Sequence, residues 1–152
     1  MRLTVVAVGR AQDAPLEALW ERYATRIKPR PTLRVVDDKK RAAAGELKPR
    51  EARLLLEALP VGDRVVALDG RGKPLDSAGL ARQLGRWRDQ GVGGIAFVIG
   101  GADGLDDAVL ARADLVLSLG AMTWPHQLVR VMLAEQLYRA QTILAGHPYH
   151  RA

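Results

Sequence analysis

The chain has 152 residues, 48% apolar and 26% charged, an ordinary balance for a water-soluble globular protein and long enough to bury a sizeable core. Cysteine is absent, which excludes disulfides and thiolate metal sites and agrees with a cytoplasmic location, and no apolar run approaches the roughly 20 residues of a membrane span. The net charge is +6, and arginine supplies 18 of the 23 basic residues. Its planar fork matches two phosphate oxygens at once, so the charge allows a nucleic-acid partner as well as a merely solvated basic surface.

The charge is uneven: residues 1–60 carry 13 basic and 8 acidic groups (+5), residues 61–152 carry 10 and 9 (+1). The start, "MRLTVVAVGR", is too short for a secretory signal and lacks a small-residue cleavage site. Its continuous apolar run Leu3–Val8 reads as a strand buried on both faces. From Pro15 to Ile27, apolar residues recur at helical spacing behind an opening proline, which predicts a helix. Thr32–Asp37 reads as a second strand and Asp38–Glu46 as a polar surface loop; Leu47–Leu59 is a second helix that Pro60 stops.

Arg64–Leu68 is a third strand followed by a Gly/Pro loop, and Ser77 is placed to cap a helix running to about Gln90. Ile95–Ile99 is a fourth strand, followed by a glycine turn and a short helix to about Ala113. Leu115–Leu119 is a fifth strand, and Pro125 opens a last, longest helix that Gly146 ends near Ala145. Strands alternating with helices predict an α/β fold, one domain over residues 1–152, with a mostly parallel sheet and helices on both faces.

In such sheets ligands bind outside the carboxyl ends of the strands. Three of these ends are unusual here: "ALDGRGKP" after the third strand, "FVIGGADG" after the fourth and "LSLGAMTWPH" after the fifth. Glycines there admit a ligand close to the backbone, where a single such loop would be only a tight turn. No G-x-x-x-x-G-K-[ST] occurs, and Gly91-x-Gly93-x-x-Ala96 precedes a strand instead of following one, so neither phosphate fingerprint applies. The loops lack a Lys/Arg cluster, which suits an uncharged adenosine with an apolar or zwitterionic arm better than a triphosphate.

No metal is expected, because His147 and His150 follow a helix-ending glycine and only His126 remains to join them. A Ser hydrolase lacks G-x-S-x-G, and Ser118 falls inside a predicted buried strand. The last helix is apolar over a wider surface than one core-facing stripe needs, which fits either a second subunit or a fully enclosed helix. Arg130, Glu135 and Arg139 sit on it; Glu135 and Arg139 stand i,i+4, either as a plain intrahelical ion pair or as a carboxylate that orients an arginine toward an anion.

The strings "VIGGADGL" and "LSLGAMTWPHQLVRVMLAEQLYRA", with the terminal "HPYHR", resemble the ribosomal RNA large subunit methyltransferase H family of the SPOUT superfamily. The resemblance covers the whole chain and is weakest around Lys39–Lys48. It implies an α/β domain whose C-terminal segment threads a trefoil knot, a homodimer, and S-adenosyl-L-methionine bound in the knot. It further implies methylation of N3 of a pseudouridine in large-subunit ribosomal RNA on assembled ribosomes. The family's cofactor contacts fall on Leu68, Gly100, Leu119, Gly120, Ala121, Met122, Thr123 and Trp124. Gly120 and Ala121 are smaller than the residues relatives often carry there.

The chemistry needs donor and nucleophile in line, and something to accept the imide proton or stabilise the charge that spreads to the ring carbonyls. The roles expected are Arg139 stabilising that charge, Glu135 orienting Arg139, and Tyr149 or His150 positioning or deprotonating the base. His126 is either a proton acceptor or a helix-start residue. His126, Arg130, Tyr149, His150 and Arg151 are assigned to the substrate, and Arg22, Arg26, Lys28 and Arg30 to ribosomal phosphates. The alternatives are a SPOUT enzyme with another target nucleotide and a non-catalytic ribosome-binding factor.

Overall fold

In a computed structural model of the chain, which describes residues 1–10, 13–37 and 45–151, five parallel strands form one sheet in the order β2-β1-β4-β3-β5. The elements run β1 (Arg2–Val8), α1 (Ala14–Ala24), β2 (Thr32–Val36), α2 (Leu47–Glu57), β3 (Arg64–Lys73), α3 (Ser77–Asp89), β4 (Gly94–Ile99), α4 (Asp107–Arg112), β5 (Leu115–Leu117) and α5 (His126–Ala145). The expected loop at Asp38–Glu46 lies outside the described residues except for Gly45 and Glu46, which turn into α2.

Successive side chains of a strand point to opposite faces, and here both faces are covered. Val5, Ala7 and Phe97 pack with Trp20, Leu84 and Leu137 under α1, α3 and α5; Val6, Val8 and Val98 pack with Leu55 and Val109 under α2 and α4. This double burial is why the strands read as unbroken apolar runs. α5 lies between α1 and α3, so most of its wide apolar surface is used within the chain.

Polar caps set the helix starts. The Asp13 carboxylate accepts from the Leu16 amide at 3.4 Å, and Asp76 accepts from the Gly79 amide at 2.6 Å. Asp76 therefore takes the capping place expected of Ser77, whose hydroxyl instead donates to Gln136 Oε1 of α5 at 2.7 Å. Gly146 ends α5 at φ 72°, a left-handed turn that a side chain would strain.

Two strand ends differ from the sequence reading. β3 does not stop at Leu68; after an irregularity it continues to Lys73, which pairs with Leu117 and accepts the Ser118 amide at 2.9 Å. Pairing partners, not side-chain propensity, extend it. Gly72 makes that approach possible, since a Cβ there would lie 2.4 Å from the Val116 carbonyl oxygen. β5 ends at Leu117 and not at Leu119, because the Ser118 hydroxyl exchanges hydrogen bonds with the amide and carbonyl of Gly120 and turns the chain away.

One long-range contact ties the ends of the chain together. Arg130 is 3% exposed, and its Nη2 donates to the carbonyls of Val8, at 2.8 Å, and Gly9. One helical position from the start of α5, Gln127 Nε2 donates to the Arg10 carbonyl at 3.0 Å. These carbonyls lie at the end of β1, where the ladder to β2 is finishing and no helix has begun. Arg130→Ala strips the buried Val8 carbonyl and the half-buried Gly9 carbonyl of their donor, so it should lower the unfolding free energy by about 3 kcal/mol in urea titration.

Candidate active site

The carboxyl ends of β3, β4 and β5 enclose a cavity of about 250 Å³. Leu68, Asp69 and Gly70 form one wall, the 100–104 loop a second, and the run Leu119–Trp124 a third. All eight residues expected at the cofactor line it. The walls are mostly backbone and small or apolar side chains because three glycine-bearing loops converge there. Gly100 packs so closely that a Cβ would lie 2.9 Å from Gly104 backbone atoms. Gly104 N–H donates to the Gly101 carbonyl at 3.0 Å, closing the turn.

Among the described residues, no lysine or arginine lines this cavity, and Asp69 is the one carboxylate. The Arg71 guanidinium beside Asp69 holds that carboxyl below the ordinary carboxylate range. A wall whose one described carboxylate is already paired with Arg71, and in which no described cation takes part, offers a polyphosphate no counter-charge and fits an uncharged nucleoside better.

His126, assigned from sequence to the substrate, stands instead on this cavity as the first residue of α5. Burial first, and then the charge of Arg130, depress its pKa. Arg130, also expected at the substrate, faces inward as described above. Its Nε and Nη1 are buried without a partner among the described residues, and burial lowers its pKa. Its length spans the gap from α5 to β1, which turns a helix-surface cation into an internal tie.

The other expected catalytic residues form a separate cluster. Arg139 donates to Glu135 Oε1 from Nε at 3.0 Å and from Nη2 at 2.7 Å, and Tyr149 donates its hydroxyl to the same oxygen at 3.1 Å. Glu135 Oε2 accepts from Gln136 at 3.0 Å, and Gln136 accepts from Ser77. The i,i+4 ion pair is thus the centre of a larger network. Arg139 also lies 4.9 Å over the Tyr149 ring, and Tyr149 packs edge-on against Tyr138 at 4.7 Å. Arg26 reaches over Tyr138 at 5.8 Å. This stack of rings and guanidiniums seats the tail on α5.

Arg139 Nη1 lies 3.1 Å from His150 Nδ1. A guanidinium only donates, so Nδ1 accepts, and the ring proton is assigned to Nε2. His150 therefore presents a donor beyond the cluster. Burial, then the bond to Glu135, raises the Tyr149 pKa, which keeps the phenol protonated. Hydrogen bonding to Glu135 raises that of Arg139. Arg151 is exposed at the end of the tail. Of the cations expected at phosphates, Arg30 is already paired with Glu21 at 2.6 Å, while Arg22, Arg26 and Lys28 are exposed, Arg26 over the Tyr138 ring that packs on Tyr149.

None of Glu135, Arg139, Tyr149 or His150 lines the strand-end cavity. A second cavity, of about 670 Å³, reaches Glu135, Gln136 and Met132, and shares Leu117, Leu119 and Gly120 with the first. The 117–120 segment is thus a common wall. The sequence reading missed Asp69, Arg71, Gln136, Ser77 and Tyr138. Only the Asp-x-Arg spacing and the aromatic one position before Arg139 carried any sign of them. Among the described residues, no three His, Cys, Asp or Glu side chains gather as a metal-holding group, and no helix is long and apolar enough to cross a membrane.

The fold and the glycine-walled cavity are those of a methyltransferase class, and comparison with known proteins agrees. The family described as "Predicted SPOUT methyltransferase" matches residues 1–150, and the chain belongs to it. It is 60% identical over 152 residues to the "Ribosomal RNA large subunit methyltransferase H" of Rhodospirillum centenum, covering 100% of both chains. It is 54% identical over 160 residues to the protein of the same name from Rhizobium meliloti, again covering 100% of both. Among solved structures, a probable methylase family protein from Haemophilus influenzae shares the fold, with TM-score 0.61 and 13% identity over 99% of this chain and 70% of that one.

His126 yields a pH prediction. Its folded pKa lies below the ordinary value near 6.5, so the unfolded chain takes up that proton first as pH falls. The contribution is full above that value and is lost as pH drops below it. Thermal unfolding from about pH 7.5 to about pH 5.5 should show a falling midpoint, with a shallower slope in His126→Asn.

Proposed function

We propose that the protein is a cytoplasmic S-adenosyl-L-methionine-dependent methyltransferase of large-subunit ribosomal RNA, acting on N3 of a pseudouridine in 23S RNA within assembled ribosomes. The single observation that carries this reading is the pairing of a glycine-walled strand-end cavity, lined by no lysine or arginine among the described residues, with a separate arginine–carboxylate–tyrosine–histidine cluster. The names of relatives matched over their full length support it.

The cofactor supplies a methyl group already activated by its positive sulfur. The chain's own residues bind and orient it. Leu68 and Leu119 give apolar walls for the base, and the Gly100 loop brings backbone close. His126, kept neutral, adds no charge to compete with the sulfur.

On the acceptor side, N3 attacks as its proton passes to water, and the negative charge that develops spreads to the ring carbonyls. Arg139 is fixed by Glu135 and offers that charge a preorganised cation. His150 donates from Nε2, Tyr149 gives a face for stacking, and Arg151 pairs with phosphate. The exposed Arg22, Arg26 and Lys28 add phosphate contacts, so binding weakens steeply with salt.

Because the cluster does not line the cavity of its own chain, we place the cluster of one subunit against the cavity of the other in a homodimer. The knot follows the same reading: one domain over residues 1–152, its C-terminal segment threaded past β3, where Gly72 presses on Val116 and Lys73 holds Ser118.

Ribosomes from cells lacking the enzyme should accept one labelled methyl at a pseudouridine, located by mass mapping, while naked RNA should be a poor substrate. Arg139→Ala and Glu135→Gln should each lower kcat by about 10²-fold or more, with affinity for S-adenosylmethionine unchanged. Wild-type turnover in both variants would refute the assignment. Trp124 lines the cavity at 39% exposed, whereas Trp20 and Trp87 are buried. Cofactor binding should therefore change tryptophan fluorescence in the wild type and not in Trp124→Phe.

A further inference from the structure

The wall of the strand-end cavity carries a brace that the proposed chemistry does not use. Arg71 sits on the irregular part of β3, and its donors point to three places. Nε donates to Asp69 Oδ1 at 2.9 Å and Nη2 to Asp69 Oδ2 at 3.1 Å, a bidentate grip reinforced by the Arg71 amide on Oδ1 at 2.9 Å. Nη2 also donates to the Leu105 carbonyl at 2.9 Å, and Nη1 to Asp107 Oδ1, at the start of α4, at 3.0 Å.

Asp69 belongs to the first wall of the cavity, and Leu105 directly follows the glycine loop that forms the second. The Leu105 side chain is 1% exposed, anchored in the core under α2 and α4. Arg71 therefore joins the two walls beyond Leu68 and Ile99, the last pair of the β3–β4 ladder, where strand pairing no longer holds their spacing. Gly100, Gly101 and Gly104 have no side chains to pack, and Gly70 has none either. Surface ion pairs usually contribute little; bidentate, networked ones with a mostly buried carboxylate are the exception, and the Asp69 side chain is 10% exposed.

We propose that Arg71 is a positioning residue for S-adenosylmethionine: it sets the separation of the Asp69 wall and the 100–105 loop at the width the nucleoside requires, and it holds the Asp69 side chain in one orientation. It touches no reacting atom. The inference rests on that cavity being the cofactor site. It predicts a loss of cofactor affinity without a loss of chemistry, which a merely structural role would not produce.

The test measures S-adenosylmethionine binding by calorimetry, and KM, kcat and the unfolding midpoint, on the full chain. Arg71→Ala should raise Kd and KM for the cofactor about tenfold while kcat at saturation stays within about twofold. Arg71→Lys, which reaches one carboxylate oxygen but cannot grip two, should recover part of the affinity, and it serves as the variant to read if Arg71→Ala does not fold. Asp69→Asn combined with Arg71→Ala should be no worse than the worse single change, because both act through one contact. Unchanged cofactor affinity in both Arg71 variants, or a fall in kcat with KM unchanged, overturns the proposal. If the wild type binds the cofactor without a Trp124 response, the location of the site fails instead, so the two failures are distinguishable.

Discussion

The guanidinium of Arg130 is buried between the last helix and the end of the first strand, and the site depends on that placement. A charged group is costly to remove from water, and it persists here because it satisfies the Val8 and Gly9 carbonyls where the sheet runs out. The bond spans 122 positions of sequence, so it acts only once the whole chain has folded. It fixes the start of α5 against β1, with Gln127 holding Arg10 beside it. That start carries His126 and Val129 into the wall of the strand-end cavity. The other end of α5 carries the tail. One internal tie thus sets the position of both halves of the site.

The two halves are built on opposite principles. The cavity is made of loops with little side-chain mass, where close approach of backbone is the useful property, and its rigidity has to come from outside, through the Arg71 brace and the Gly101–Gly104 turn. The tail cluster is made of long polar side chains that hold one another. Glu135 Oε1 accepts three hydrogen bonds, and the Tyr138–Tyr149–Arg139 stack packs beside them. A network satisfied in this way is ordered without a ligand, which under the proposed function lowers the cost of fixing it on RNA. The shared wall at 117–120 places a backbone segment between donor pocket and carboxylate.

Much of the fold was legible along the chain. Apolar runs marked strands covered on both faces, and Pro15, Pro60 and Gly146 marked helix boundaries, because each residue's own backbone geometry decides there. The reading failed where partners decide. β3 runs past Leu68 only because β5 offers backbone groups to pair with and Gly72 leaves room for it. Ser77 looked like a cap, but Asp76 was nearer the free amides and Gln136 was within reach of the hydroxyl. Arg130 looked like an RNA ligand because a helix pattern records spacing and not which cation will be covered.

The sequence alone determined the alternation of strands and helices, the three glycine-bearing strand ends, the lack of cysteine and the specific C-terminal strings that mark the family. These are local properties: dihedral preference, apolar periodicity and residue identity. Tertiary structure decided which side of α5 each charged residue faces, that His126 stands at the cavity, that His150 accepts from Arg139 through Nδ1, and that Arg71 spans two walls. Those outcomes depend on distances between segments remote in sequence, and hydrogen bonds are directional and short, so no spacing along the chain encodes them.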